Sequence, residues 1–180
     1  ELTVDEEGKI MLPRWAEMNG IPAGAFIDLG LMPNKTMPSL LRDMDAAVFP
    51  NRCEGGTNLV AMEAMAAGIP VILSANTGHL DLIDDHNCYP LVKQTAVKPY
   101  PPYLGVDGWA EPNIQEVLSH LETIYNDKVG ASRRAKQGTE SISKFNWKNQ
   151  IQLLQEFSLV LLVQMLRVPL VVIQKLLGLL

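Results

Sequence analysis

The feature that most constrains this sequence is the segment FPNRCEGGTNLVAMEAMAAGIPVIL, residues 49–73. The segment starts at the end of an apolar run and continues through a Gly-Gly turn. The letters LVAMEAMA follow, and their alanine, methionine, leucine and glutamate favour a helix. Gly68, with Pro70 just behind it, is a typical helix stop. The apolar run that follows is too short for a helix, so we predict a central, buried parallel strand at residues 71–73.

The same alternation of short apolar runs and amphipathic stretches continues along the chain. Predicted strands lie at residues 26–29, 46–49, 71–73 and 89–92. Predicted helices lie at residues 38–44, 59–67, 114–124 and 131–144, and from about 147 onward. Residues 93–108 have no apolar period, which indicates a surface excursion or an insertion that touches substrate. The fold class is α/β, a Rossmann-like parallel sheet with flanking helices.

Composition excludes several classes of protein. With 47% hydrophobic residues, 19% charged residues and a formal net charge of −5, the chain is one globular domain or part of a larger one. The acidic balance argues against nucleic acid as a partner. Cys53 and Cys88 are too far apart for a CxxC zinc site or a dense disulfide scaffold, so we expect a reducing, cytoplasmic setting and no metal.

The Gly-Gly turn has the features of an anion site. Gly55 and Gly56 let the backbone approach a ligand, and the free amides at the helix start point at a phosphate. Open parallel sheets bind ligands beyond the carboxyl ends of their strands, where this turn lies. Glu63, about one turn inside the helix, can accept hydrogen bonds from a ribose diol. Glu54 is placed to meet a more distal group of the same ligand.

Each of these residues also has a purely structural interpretation. The Gly55-Gly56 pair fits a tight turn, Glu54 fits an exposed loop carboxylate or a charge at a helix start, and Glu63 fits a solvated helix face. Glu63 is nevertheless flanked by alanines and methionines on both sides. An unpaired carboxylate in that company is costly if buried, so a ligand partner accounts for it.

The stretch EGGTNLVAMEAMAAGIPVILSANTG, followed by HLDLI, resembles the C-terminal, donor-binding half of retaining GT-B glycosyltransferases of the group 1 type. The resemblance covers residues 21–157. It implies that Glu63 holds the nucleotide ribose and that Glu54 contacts the donor sugar as the candidate catalytic residue. It also implies phosphate contacts from Gly56, Thr57 and Asn58, next to Gly55 of the same turn. His79 follows Asn76-Thr77-Gly78 in a loop at the same sheet edge, where a contact with donor or acceptor and a purely structural role are both open.

One departure from the family concerns the spacing of the two glutamates. Eight residues separate Glu54 from Glu63, where the family usually has seven, so Gly55 stands in the register of the first glutamate. A one-residue bulge at Gly55-Gly56 would restore the reach of Glu54.

The resemblance also implies what surrounds the site. GT-B enzymes have two Rossmann-like domains, so we expect a missing N-terminal domain as partner. The expected division is a remnant of the domain opening at residues 1–24, the nucleotide-sugar-binding domain at 25–157 and an apolar tail at 158–180. Arg167 and Pro169 in the tail disfavour a membrane span. Peripheral association of the tail with a membrane stays an alternative to a purely cytoplasmic setting.

The predicted function is donor binding in a glycosyltransferase. The chain is expected to bind a nucleotide-diphosphate sugar as substrate, without a cofactor, for transfer of the sugar to an acceptor hydroxyl. Two alternatives remain, a nucleotide-sugar binding module without turnover and a GT-B-type epimerase. Without the first domain, the chain alone is predicted to be inactive because catalysis positions both reactants between two surfaces.

Overall fold

The computed structural model describes residues 11–166, with side chains of the last helix described as far as residue 161. The rest of the predicted tail lies outside the described residues. The chain divides into two compact units, Glu1–Pro38 and Ser39–Leu180. The domain boundaries drawn from the sequence stay predictions.

The first unit contains the helix α1 (Leu12–Met18) and two 3-10 turns, Ala23–Ala25 and Asn34–Thr36. The strand predicted at residues 26–29 is wrong, because this stretch pairs with no strand in the described part of the chain. Ile27 is 85% exposed and Leu29 is 52% exposed. Without a neighbouring strand or a core to cover these side chains, nothing stabilises a ladder there.

The second unit is built on a three-stranded parallel sheet. Strands β1 (Ala47–Phe49), β2 (Val71–Ser74) and β3 (Tyr89–Leu91) lie in the order β1-β2-β3. The helix α2 (Met37–Arg42) precedes β1, and α3 (Leu59–Ala66) connects β1 to β2. The predicted central parallel strand is therefore confirmed.

Helices cover both faces of the sheet. Val71 and Leu73 pack in one core cluster with Met65 of α3, whereas Ile72 packs in a second cluster with Val117. Every residue of β2 is buried, which explains its continuous apolar run. The helices after the sheet are α4 (Ile114–Asn126), α5 (Lys128–Ile142) and α6 (Trp147–Leu166), of which α4 and α5 contribute buried side chains to the two clusters. The predicted α/β class with flanking helices is confirmed.

The predicted surface excursion, residues 93–108, belongs largely to a hairpin. Strands β4 (Gln94–Ala96) and β5 (Ala110–Pro112) pair in antiparallel fashion and bracket it. Neither strand has an apolar alternation, and the partners lie far apart in sequence, so no local signal predicts the pairing. Within residues 11–166, no helix is long and apolar enough to cross a membrane.

Candidate functional site

The candidate site lies where β1 and β2 end. Residues 50–58, here called the glycine loop, follow β1, and residues 75–81, the second loop, follow β2. Both strands are parallel neighbours, so their carboxyl ends open onto the same edge of the sheet. The sequence prediction placed the site at this edge.

Two hydrogen bonds join the two loops. The Glu54 amide donates to Thr77 Oγ1 at 2.7 Å, and the Gly78 amide donates to the Glu54 carbonyl oxygen at 3.2 Å. A Cβ built on Gly78 would lie 1.5 Å from the carbonyl oxygen of Gly56. Only glycine fits there, so the conformation of the glycine loop depends on the second loop.

Asn76 ties both loops to the hairpin. Its side chain is 5% exposed, and its Nδ2 donates to the Asn51 carbonyl at 3.1 Å and to Gln94 Oε1 at 2.9 Å. Asn76 is not among the site residues predicted from the sequence. An asparagine two residues after a fully buried strand was the available signal, since a buried amide must find partners.

Asn58 starts α3 from a left-handed conformation with φ of 58°. Its Oδ1 accepts a hydrogen bond from the Ala61 amide at 3.1 Å, so Asn58 is the N-cap of the helix. Within the described residues, the amides of Gly55, Thr57 and Leu59 have no hydrogen-bond acceptor. Exposed donors of this kind at a helix start favour an anion.

The fold itself does not require Gly55 and Gly56 to be glycines. Both are exposed, and a Cβ built on either meets no heavy atom within 4 Å. Neither φ lies in the left-handed region. Neither packing nor backbone conformation therefore demands glycine at these two positions. The lack of side chains there leaves the surface of the loop open to a ligand.

The Glu54 carboxylate is turned back onto its own loop. Its Oε1 accepts a long hydrogen bond from the Gly56 amide at 3.3 Å, and its Oε2 accepts from Asn51 Nδ2 at 3.4 Å. A carboxylate oxygen therefore already lies against one of the loop amides. The predicted contact between Glu54 and a donor sugar stays a prediction.

Glu63 is exposed on α3, one turn after Leu59 and on the same face. It lines an open groove of about 400 Å³, whose other walls include Met62, Thr139 and Phe145. Helical side chains lean toward the N-terminus of their helix, so the Glu63 side chain is expected to cover the turn that begins at Leu59. Its predicted contact with ribose stays a prediction.

His79 is fully buried, at 0% exposure. Its Nδ1 lies 3.0 Å from the Ser74 carbonyl oxygen, and its Nε2 lies 2.9 Å from Asn58 Nδ2. Burial lowers the pKa of the ring, although the Ser74 carbonyl and the negative charge of Glu54 act in the opposite direction. The predicted contact of His79 with a donor stays a prediction, and its observed partners are protein groups.

Arg52 is the cation nearest to Glu54 in the sequence, and it pairs with Glu111 of β5. The hydrogen bond and the charge of Glu111 raise the pKa of Arg52. The Ala110 amide also donates to the Arg52 carbonyl at 2.9 Å. The hairpin therefore lies directly against the glycine loop. In residues 11–166, no group of three or more potential ligand side chains could hold a metal ion.

Comparison with known proteins gives a family match. The model of the family described as "Family 4 Glycosyltransferase in conflict systems" matches residues 33–154. None of the curated proteins matches the chain.

Three solved structures with this fold are GT-B glycosyltransferases. Sucrose-phosphate synthase from Thermosynechococcus elongatus has a TM-score of 0.64 and 20% identity, over 89% of this chain and 37% of that one. HepE from Anabaena, solved with UDP, has a TM-score of 0.59 and 19% identity, over 82% and 35%. The C-terminal domain of the group 1 glycosyl transferase LpcC from Francisella tularensis has a TM-score of 0.51 and 23% identity, over 74% and 60%.

These identities are low enough that the structural likeness shows the fold alone. The chain spans only 60%, 37% and 35% of the LpcC, sucrose-phosphate synthase and HepE chains, respectively. The family match, in contrast, covers more than half of this chain and includes the glycine loop, α3 and the second loop. The chain therefore belongs to the family 4 glycosyltransferases of conflict systems, and its parallel sheet with flanking helices is the fold of the C-terminal half of a GT-B glycosyltransferase.

Proposed function

We propose that this chain binds a nucleotide-diphosphate sugar at the glycine loop, as the donor-binding part of a glycosyltransferase that passes the sugar to an acceptor hydroxyl. The observation that carries the proposal is the Gly55-Gly56 pair, which the fold does not require and which borders amides without acceptors among the described residues. HepE, which has the same fold, was solved with UDP and also with UDP and glucose.

The diphosphate is assigned to the start of α3. The amides of Gly55, Thr57 and Leu59 supply hydrogen-bond donors, and the helix start adds a favourable partial positive charge. Gly56 and Asn58 complete the loop, Asn58 by fixing the first turn of the helix. The paired Arg52 is not assigned to the phosphates.

The two glutamates are assigned to the ends of the ligand. Glu63 lies one turn beyond the phosphate-binding amides, where its carboxylate can accept hydrogen bonds from both ribose hydroxyls. Glu54 Oε1 competes with a phosphate oxygen for the Gly56 amide, because both are anionic acceptors. Phosphate binding would release the Glu54 carboxylate toward the donor sugar.

Transfer of the sugar is a separate question from donor binding. An acceptor must be held against the donor by a second surface, and we infer that this surface belongs to a further GT-B domain. A binding module without turnover and an epimerase remain the alternatives. Both cysteines are free, which supports a reducing, cytoplasmic setting.

The proposal is tested by calorimetric titration of the chain with UDP, GDP and ADP. The double variant Gly55→Ala/Gly56→Ala places methyl groups on the loop surface and should weaken binding about tenfold or more, a loss of about 1.4 kcal/mol. The matched control is Gly105→Ala in the hairpin, since a Cβ there also meets no heavy atom within 4 Å. Its affinity should equal that of the wild type.

The outcomes separate the candidate functions. Equal affinity of the loop variant and the wild type, or no binding of any nucleotide by a folded chain, would refute donor binding at this loop. Binding without sugar transfer is the expected result for the chain alone. Sugar release or epimerisation by the chain alone would contradict the assignment of catalysis to two surfaces.

A further inference from the structure

His79 sits at a junction of three elements that meet at the candidate site. It belongs to the second loop, its Nδ1 faces the carbonyl oxygen at the end of β2, and its Nε2 faces the N-cap of α3. Its side chain is fully buried, and both ring nitrogens face protein groups in this structure. Any influence of His79 on the site must therefore pass through the groups it contacts.

The contacts define the protonation state of the ring. Asn58 Oδ1 accepts from the Ala61 amide, which fixes the orientation of the Asn58 side-chain amide and directs Nδ2 toward the ring. A donor at Nδ2 requires an acceptor, so Nε2 carries no proton. Nδ1 then carries the proton and donates to the Ser74 carbonyl oxygen. The observed network is consistent only with a neutral ring.

We propose that His79 is a positioning residue, whose neutral ring holds Asn58 as the cap of α3, and that protonation of the ring breaks this arrangement and weakens nucleotide binding. The proposal deepens the proposed function and rests on it for the binding step. Its structural step concerns only His79, Asn58 and Ala61.

Protonation leaves the network without a good alternative. A proton on Nε2 would face the Nδ2 donor of Asn58, so their hydrogen bond is lost. If the Asn58 amide turns over, Oδ1 accepts from the ring but leaves the Ala61 amide, so the cap is lost instead. Either way, the left-handed conformation of Asn58 loses a side-chain hydrogen bond that supports it.

The charges around the ring set the direction of the effect. Among the described residues, Glu54 of the glycine loop is the charged group that acts on His79, and its negative charge favours protonation. Burial has the larger effect and keeps the ring neutral at neutral pH. Protonation is therefore expected below the ordinary histidine value of about 6.5.

The structural step is tested by amide hydrogen exchange of the full chain between about pH 5 and about pH 8, the range in which histidine commonly titrates. The protection factor of the Ala61 amide, whose acceptor is Asn58 Oδ1, should fall about fivefold to tenfold at the acid end, the usual worth of one cap. The Ala67 amide, which donates to the Glu63 carbonyl at the C-terminal end of the same helix, is the internal control. In His79→Gln, which does not titrate, the ratio of the two should be independent of pH.

The binding step is tested by titration with UDP across the same pH range. The terminal phosphate also gains a proton there, so the wild type is compared with His79→Gln, which experiences the same change in the nucleotide. The wild type should lose about fivefold to tenfold more affinity than the variant at the acid end. In Asn58→Gly, glycine adopts the same φ without a side chain, and the extra loss should disappear. This second variant decides the question if His79→Gln does not fold.

The hydrogen-exchange test and the UDP-binding test can fail independently of each other. If UDP does not bind but Ala61 protection follows pH as described, the proposed function is wrong and the role of His79 in the cap stands. If UDP binds and the Ala61 and Ala67 amides respond to pH alike in the wild type, the positioning role is overturned. An equal pH dependence of UDP affinity in the wild type and Asn58→Gly would also overturn it.

Discussion

The backbone of Gly78 lies so close to the backbone of Gly56 that a Cβ on Gly78 would stand 1.5 Å from the Gly56 carbonyl oxygen. The two residues belong to loops that follow neighbouring strands. Their contact makes the glycine loop and the second loop one structural unit. The surface offered to a ligand therefore depends on Gly78, which is itself partly buried.

We expect Gly78→Ala to destabilise the chain by about 1 to 3 kcal/mol, because a methyl group there overlaps backbone atoms that cannot turn away like a side chain. The free energy of unfolding is measured by urea denaturation. Gly105→Ala, where a Cβ meets open space, is the control and should change it by less than about 0.5 kcal/mol. Similar midpoints for both variants would contradict the close contact.

Ser74 provides a second test of the region behind the loops. Its Oγ is buried and has no hydrogen-bond partner among the described residues. Ser74→Ala removes an unsatisfied hydroxyl, so we expect stability to stay constant or to rise by up to about 1 kcal/mol. Thr139→Val is the matched comparison, because Thr139 Oγ1 donates to the Met65 carbonyl at 2.9 Å. It should lose about 1 kcal/mol, and an equal loss in Ser74→Ala would show that Ser74 Oγ has a partner.

The sequence predicts those parts of the site that short patterns determine. The Gly-Gly turn, the helix stop at Gly68 and the buried strand after it are each encoded within a few neighbouring residues, and all three lie where expected. The contacts of Asn76 and the burial of His79 were not predicted. Their partners are separated from them by many residues, so the contacts exist only once the loops have been brought together by the sheet.

Dependence on distant partners also explains the two errors in the predicted fold, which are the strand at residues 26–29 and the missed hairpin. The strand predicted at residues 26–29 has the right residue types but finds no partner, whereas β4 has few apolar residues and pairs with β5. Strand formation depends on a neighbour more than on the local sequence. Helices satisfy their own backbone, and the predicted helices are accordingly all present in the described residues.

The two cysteines should differ sharply in reactivity. Burial raises the pKa of the Cys88 thiol to about 12, so almost no thiolate forms at neutral pH. Cys53 is only partly buried, in the glycine loop. We expect iodoacetamide to modify Cys53 in the folded chain and Cys88 only after unfolding in urea, as read by peptide mass spectrometry. Equal rates in native buffer would contradict the burial of Cys88.

Glu63 offers the most direct test of the proposed nucleotide binding at this surface. If its carboxylate accepts hydrogen bonds from a ribose diol, Glu63→Gln keeps the shape of the side chain but removes the charge. The affinity for the best-bound nucleoside diphosphate should fall by about 1.5 to 3 kcal/mol, the range for hydrogen bonds to charged groups. Because Glu63 is exposed, thermal melts should agree within about 0.5 kcal/mol of stability.

The control is Glu122→Gln, an exposed glutamate on α4, which makes the same change of net charge away from the glycine loop and should bind like the wild type. Equal losses in both variants would reduce the effect to net charge, and no loss in Glu63→Gln would remove Glu63 from the site.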